Sequence, residues 1–125
     1  MTENEIDKIV VNSSIKVHKA LGPGLLESAY QACLAFELQK TGLGLQTEVG
    51  LPLRYEDVDL DVGYRVDILI ENKVILELKA VERLMPIHEV QILSYLKLSG
   101  CRLGYLLNFN VYRMKDGIRR IANNL

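Results

Sequence analysis

Residues 74–80 read VILELKA, an apolar β-strand pattern that contains a carboxylate and an ammonium group two positions apart. Side chains alternate between the two faces of a strand, so Glu77 and Lys79 point to one face while the apolar residues at the even positions point to the other. An exposed ion pair of this kind would contribute only about 0–1 kcal/mol. The pattern therefore indicates either a solvated charged face or a catalytic or metal-binding face.

The segments around this strand predict a protein that contains both helices and strands. Apolar residues recur at helical spacing from Glu5 to Leu21, and a second helix is predicted from Leu25 to Lys40. Pro86 suits the first turn of a third helix, which Ser99-Gly100 ends. Turn-prone EDVD and ENK segments separate the first three strand-like runs. The predicted strands are Leu45 to Tyr55, Leu60 to Ile70, Lys73 to Ala80 and Arg102 to Phe109, the last of them a final core strand.

The order of these elements indicates the fold class. Apart from the first helix and the tail after Asn110, the order is α-β-β-β-α-β. The helical connection from the third to the fourth strand permits parallel pairing, and the flanking helices can cover both faces of the sheet. We therefore expect a three-layer α/β/α sandwich around a small mixed sheet, with Pro52 favouring an edge position for the first strand. The length of 125 residues fits one domain over residues 1–125.

Composition and cysteine usage exclude several classes of protein. The chain is 49% hydrophobic and 25% charged, so disorder is not expected. The acidic N-terminus lacks the features of a signal peptide, and no apolar run approaches the ~20 residues of a spanning helix. A cytoplasmic protein without membrane association is therefore expected. Cys33 and Cys101 are isolated, which predicts buried small hydrophobic residues rather than a zinc site or a disulfide framework.

The net charge of −1 gives no general attraction to nucleic acid, but the charges are unevenly distributed. Acidic residues dominate through Leu60, and basic residues exceed them from Asp61 onward. A basic run of this kind is usually a solvated face, and it bears on function only beside a site that handles phosphates. The run consists of Arg113, Lys115, Arg119 and Arg120.

The ENK turn determines whether two carboxylates meet. If residues 71–73 form a three-residue hairpin loop, counting back along the strands places Asp67 opposite Glu77 and Arg65 opposite Lys79. Directly paired residues have Cβ atoms ~4.5–5.5 Å apart, where two carboxylates repel unless a positive charge lies between them. A two-residue loop would shift the register by one and place the carboxylates on opposite faces.

Two adjacent carboxylates on rigid strands suit a hard cation such as Mg²⁺, which binds one or two carboxylates together with waters and phosphate oxygens. The backbone carbonyl of Leu78 could complete the protein ligands. Lys79 would activate the attacking water or stabilise charge that develops on a phosphoryl group. These groups are the parts needed for metal-assisted phosphodiester hydrolysis. At this point a surface charge ladder explains the same residues equally well.

The third predicted helix could supply another wall of such a site. His88, Gln91 and Tyr95 fall on one stripe of that helix, with Gln91 and Tyr95 four residues apart. Gln91 could orient a water or phosphate, and Tyr95 could donate a hydrogen bond. A tyrosine on a helix is more often a core residue, and His88 is the weakest candidate of the three.

Taken in order, these motifs resemble the PD-(D/E)xK nuclease superfamily. The spacing Asp67-x9-Glu77-x-Lys79 carries the resemblance, and the element Gln91-xxx-Tyr95 is similar to that of the RecB-like branch. A bare D…ExK pattern is common by chance, but the ordered set in this secondary-structure context is specific.

The segment GLLESAY at residues 24–30 resembles the signature of the GxxExxY protein family, bacterial members of that superfamily. The segments VHKALGPGLLE, ELKAVERL, IHEVQILSYLKLSG and NFNV resemble the same family, so the likeness covers nearly the whole chain. Val66 stands where the superfamily motif often has proline, a common departure.

The resemblance implies a restriction-endonuclease-like fold with Asp67, Glu77 and Lys79 as the catalytic core. It also implies that Glu27 is an acidic residue that assists the metal, although the residue pattern alone would make Glu27 a first-turn residue favoured by the helix dipole. The implied function is a Mg²⁺- or Mn²⁺-dependent nuclease acting on nucleic acid, DNA more than RNA.

Two other functions remain open at this stage. One is a non-catalytic nucleic-acid- or protein-binding module that retains the nuclease fold. The other is hydrolysis of a small nucleotide, which predicts a closed pocket rather than an open groove. A second copy could help so small a domain span a duplex, so a homodimer is compatible with the sequence.

Overall fold

A computed structural model describes residues 1–125, and its elements follow the predicted order. Helix α2 begins two residues later than expected, because Leu26 has an extended backbone (φ −71°, ψ 151°). The other predicted helices and the first four strands agree with the structure to within two residues. The helices are α1 (Glu3–Leu21), α2 (Glu27–Lys40) and α3 (Pro86–Ser99), and the strands are β1 (Leu45–Tyr55), β2 (Val58–Ile70), β3 (Val74–Lys79), β4 (Leu103–Asn108) and β5 (Ile118–Ala122).

The five strands form one mixed sheet in the order β1-β2-β3-β4-β5. Strands β3 and β4 pair in parallel through the α3 crossover, and the other neighbours pair antiparallel. The predicted mixed sheet and the edge position of β1 are therefore confirmed. Strand β3 lies at the centre of the sheet, where both neighbours hold it in place.

Two apolar cores, one on each face of the sheet, confirm the three-layer architecture. The larger core packs α1 and α2 against one face, with Tyr30, Leu76 and Phe109 among its fully or almost fully buried members. The smaller core packs α3 against the other face, with Ile75 and Ile92 fully buried. Neighbouring residues of β3 therefore point into different cores, which is why the whole strand reads as apolar apart from Glu77 and Lys79.

The tail after Asn110 contains an element that the sequence analysis missed. A short 3-10 turn (Met114–Gly117) leads into β5, which pairs with β4, so the strand predicted at 102–109 is not the last one. Strand β5 was missed because its second and third residues, Arg119 and Arg120, are both exposed, so that its sequence does not alternate between apolar and polar residues.

A bulge between β1 and β2 shifts their register. Residues 56 and 57 form a two-residue turn, both with positive φ, but three residues of β2, 61–63, then lie opposite the single residue Pro52. Proline cannot donate a ladder hydrogen bond, and Gly63 adopts a φ of +84° that side-chain-bearing residues rarely accept. Pairing therefore resumes two residues out of step with a count made from the turn.

The ENK segment forms the predicted three-residue loop, with Ile70 paired to Val74. The β2–β3 ladder extends only to Ile68 and Leu76, so it reaches neither of the predicted pairings, Asp67 with Glu77 or Arg65 with Lys79. At this point β2 also changes the face that it buries. Ile68 packs into the core beneath α1 and α2, whereas Val66 packs into the core beneath α3. Strand β2 thus turns away from β3 at Asp67.

Other residues singled out in the sequence occupy ordinary structural positions. Cys101 is buried, Cys33 is half-buried, and both are free. Arg119 forms an ion pair with Glu89 at 3.3 Å, and Arg120 lies 4.0 Å from Asp7. These partners identify part of the basic run as a solvated face. None of the helices has both the length and the apolar composition needed to cross a membrane.

Replacing Gly117 by alanine should destabilise the fold, because its Cβ would collide with the backbone carbonyl of Asn108 at the end of β4. We expect Gly117→Ala to lower the free energy of unfolding by about 1–3 kcal/mol, measured by urea denaturation followed by circular dichroism. Gly50→Ala is the matched control, because its Cβ would meet only the flexible end of Arg65, at 3.3 Å. Equal stability of the two variants would contradict this account.

Candidate active site

The carboxylates of Asp67 and Glu77 meet where β2 turns away from β3. The Leu78 N–H donates to Asp67 Oδ2 at 2.8 Å, and the Asp67 N–H donates to Glu77 Oε1 at 3.3 Å. The Asp67 side chain thus takes the position that the next backbone acceptor of the ladder would occupy. These two hydrogen bonds from backbone N–H groups hold both side chains, and Asp67 Oδ1 and Glu77 Oε2 accept no hydrogen bond from the chain.

Burial and mutual repulsion make the two carboxylates unusual acids. Burial raises the pKa of Glu77 to about 8, and the charge of Asp67 adds to this effect. Burial also raises the pKa of Asp67, against the hydrogen bond from the Leu78 N–H, which lowers it. The Glu77 side chain is almost completely enclosed, at 8% exposure. This pair would be stabilised by a positive charge placed between the two groups.

Two more carboxylates contribute to the negative potential at Asp67. The charges of Glu48 and Glu27 both raise the Asp67 pKa. Glu27 is exposed at the beginning of α2. Glu48 lies on β1 opposite Asp67 of β2, between the pairs Thr47–Ile68 and Val49–Val66, and has a φ of +53°. Glu27 could be identified from the sequence only through the family resemblance, and Glu48 was not predicted.

Lys79 provides a positive charge close to the two carboxylates. Its charge lowers the pKa of both Asp67 and Glu77, and its side chain is partly buried. The backbone here is fixed, because the Phe109 N–H donates to the Lys79 carbonyl at 3.0 Å. The buried amide of Asn108 also exchanges two hydrogen bonds with the Val81 backbone, at 3.1 and 3.0 Å. Asn108 is a positioning residue that the sequence analysis did not single out, although it begins the NFNV segment.

Helix α3 brings Gln91 and Tyr95 to the same region. The two residues lie on one stripe of the helix, as their spacing predicted, and Gln91 Nε2 donates to the Tyr95 hydroxyl at 3.2 Å. Burial raises the pKa of Tyr95, and the charge of Glu77 raises it further, which places the phenol within electrostatic reach of the carboxylate. His88 has a different role, because its Nδ1 accepts from the Met85 N–H at 2.9 Å and caps the helix.

The GLLESAY segment combines a structural tyrosine with an exposed carboxylate. The Tyr30 hydroxyl donates to the Gly22 carbonyl at 2.6 Å and accepts from the Leu25 N–H at 3.1 Å, while its ring stacks on Phe109 at 4.6 Å between centroids. Tyr30 therefore fixes the loop that precedes α2, and with it the position of Glu27. The two most distinctive side chains of the segment thus act at different places, one in the core and one at the surface.

These groups fit a hard divalent cation. No three His, Cys, Asp or Glu side chains lie close enough together to form a metal cluster on their own. Mg²⁺ does not need three, because it commonly binds through one or two carboxylates and keeps several waters. The N–H and C=O of one strand residue point to the same side, so the Leu78 carbonyl faces the gap in which Asp67 receives the Leu78 N–H. The donors available are thus all oxygens, which Mg²⁺ and Mn²⁺ prefer.

Comparison with known families gives one match. A family model described as the PD-(D/E)XK nuclease superfamily matches residues 4–121. The match covers all three helices and all five strands except Glu3, the first residue of α1, and Ala122, the last residue of β5. The comparison with curated proteins gives no match, and neither does the comparison with solved structures.

The pKa of Glu77 predicts how the stability of the metal-free protein depends on pH. Because folding raises this pKa from the ordinary 4.5 to about 8, the folded state binds more protons than the unfolded state between these values. The contribution of Glu77 to the free energy of unfolding should be highest below pH 4.5 and should fall by a few kcal/mol as the pH rises to about 8.

Urea denaturation in EDTA at a series of pH values measures this slope. Glu77→Gln should flatten it, whereas Glu82→Gln, at an exposed position next to β3, should keep the wild-type slope. A Glu77→Gln protein with the wild-type pH dependence would show that another group is responsible.

Proposed function

Because this chain belongs to the PD-(D/E)XK nuclease superfamily, we propose that it is a divalent-metal-dependent nuclease that hydrolyses phosphodiester bonds in nucleic acid, DNA more than RNA. The observation that carries this proposal is the meeting of the Asp67 and Glu77 carboxylates at the gap between β2 and β3, next to Lys79. A charge ladder on a solvated face would not be buried in this way.

The proposed metal ligands are the carboxylates of Asp67 and Glu77 and the carbonyl of Leu78. When bound there, Mg²⁺ or Mn²⁺ would offset the repulsion between the carboxylates and stabilise negative charge on a phosphate. Glu27 and Glu48 would strengthen cation binding through their charge or through intervening waters.

The remaining polar groups have roles that follow from their hydrogen-bonding capacity. The Lys79 ammonium would donate to a phosphate oxygen and stabilise the charge that develops there as water attacks. The Tyr95 hydroxyl accepts its hydrogen bond from Gln91, so its own proton is free to be donated to another phosphate oxygen. Gln91 thus orients Tyr95 and can also contact the backbone of the substrate.

Exposure around the site favours a polymer over a small nucleotide. Glu27, Glu48 and Gln91 are all exposed, so the carboxylate pair lies beside an open surface rather than inside a closed pocket. This arrangement supports the nucleic-acid substrate.

We also assign the chain to the GxxExxY group, a proposal supported by the role of Tyr30 in holding Glu27. We expect the protein to act in the cytoplasm.

A cleavage assay tests the proposed activity. The purified protein would be incubated with linear, nicked, branched and single-stranded DNA, and with RNA, in Mg²⁺, Mn²⁺ or EDTA. We expect metal-dependent cleavage that falls at least about a hundredfold in Asp67→Ala and in Lys79→Ala, because each variant removes a group proposed to act at the scissile phosphate.

Asp59→Asn is the matched control, since Asp59 is an exposed carboxylate on the same strand whose partner is Arg54, at 3.3 Å. This variant should cleave at the wild-type rate. Cleavage that persists in EDTA, or that is unchanged in Asp67→Ala, would contradict the assignment. Metal-dependent binding of nucleic acid without any cleavage would instead favour the non-catalytic module.

A further inference from the structure

A groove beside the candidate active site has a different chemical character from the site itself. It has a volume of about 570 Å³ and lies between α3 and the β1–β2 hairpin. Gln91 and Tyr95 line the groove, and Tyr95 packs in the same core as Val66, the residue that precedes Asp67, so the groove lies next to the candidate site. Leu53 and Tyr64 line the groove from the hairpin, and Val90 and Leu98 line it from the helix.

The lining of this groove does not suit a phosphate backbone. Six of its nine lining residues are hydrophobic, and Lys97 is the one charged residue among the other three. Phosphates are bound by several cations and N–H donors, whereas flat apolar rings are bound by aromatic and aliphatic walls. The groove therefore matches the base of a nucleotide better than its phosphate.

Tyr64 presents an exposed aromatic surface in the lining of the groove. Its side chain is 42% exposed, and its ring centroid lies 6.0 Å from that of Tyr95, with a tilt of 50° between the rings. Tyr64 directly follows the bulge at residues 61–63, and bulges commonly re-aim the side chains next to them. A ring that stacks on Tyr64 would therefore lie close to the proposed phosphate-binding hydroxyl of Tyr95.

We propose that this groove binds an unstacked nucleobase of a single-stranded nucleic acid, adjacent to the phosphate held at the candidate active site. This inference rests on the proposed function and deepens it. Bases inside a duplex are stacked on both faces and cannot enter, whereas bases of single strands and frayed ends stack readily on aromatic side chains. The substrate class is therefore single-stranded nucleic acid or the single-stranded end of a duplex.

Equilibrium binding to labelled oligonucleotides tests this inference. Fluorescence anisotropy would compare a single strand, the same strand with abasic sites at its central positions, and the corresponding duplex, with Ca²⁺ in place of Mg²⁺. We expect the wild-type protein to bind the base-bearing strand roughly tenfold more tightly than the abasic strand, given the usual contribution of base–aromatic stacking.

Variants at Tyr64 locate the effect. Tyr64→Ala should lose roughly tenfold in affinity for the base-bearing strand and nothing for the abasic strand, while Tyr64→Phe should keep the wild-type affinity. The matched control is Tyr112→Ala, because Tyr112 is 91% exposed and does not line the groove. Circular dichroism melting of each variant checks that the fold is retained.

Equal affinity of the wild-type protein for base-bearing and abasic strands would overturn the inference, without reference to any variant. A homodimer that Tyr64→Ala dissociates, together with no base-dependent binding, would also overturn it and identify the groove as an interface between copies.

The two proposals fail separately. Cleavage that depends on Asp67 but is unchanged in Tyr64→Ala would support the nuclease proposal and contradict the base-binding groove. Base-dependent binding that requires Tyr64, without cleavage of any substrate, would support the base-binding groove and contradict the nuclease proposal.

Discussion

The hydrogen bond from the Leu78 N–H to the Asp67 carboxylate is the contact on which the arrangement of the site depends. Beyond Ile68 and Leu76 the strands β2 and β3 are no longer paired, so the Leu78 N–H needs another acceptor. A buried N–H without a partner would cost about 1–3 kcal/mol. The Asp67 side chain satisfies it and is fixed by it, while the same separation of the strands leaves the Leu78 carbonyl facing the gap.

Placing two carboxylates in this gap has an energetic cost that the surrounding sheet has to offset. Glu77 is nearly enclosed and its pKa is raised to about 8, so in the absence of a cation the charged pair is unfavourable. Strand β3 can hold such a group because it is central, with β2 and β4 on either side and a core on each face. The packing around β3 thus fixes the position of Glu77 and also buries its carboxylate next to that of Asp67. A cation bound between the two carboxylates would offset their repulsion.

The sequence could predict the part of the site that lies only a few residues from a hairpin loop, because the strand register there follows from the length of the loop. The three-residue loop at 71–73 fixes the register of β2 against β3 close to the loop. The proximity of Asp67 and Glu77 could therefore be predicted by counting residues from the loop. Glu48 could not, because the bulge at 61–63 intervenes. Counting from the β1–β2 turn would place Gln46 opposite Asp67, two residues away from the observed neighbour. Tyr64 lies directly after the same bulge and was not predicted either, and β5 was not predicted because its sequence lacks an alternating pattern.

The central claim is that the gap between β2 and β3 is a divalent-cation site, and Mn²⁺ crystallography tests it most directly. Crystals soaked in Mn²⁺ would be measured at a wavelength at which manganese scatters anomalously. We expect an anomalous peak within bonding distance, about 2.0–2.3 Å, of both the Asp67 and Glu77 carboxylates. The same peak should be absent from crystals of Asp67→Asn. A Mn²⁺ ion bound elsewhere, or no peak between these carboxylates at saturating Mn²⁺, would contradict the account.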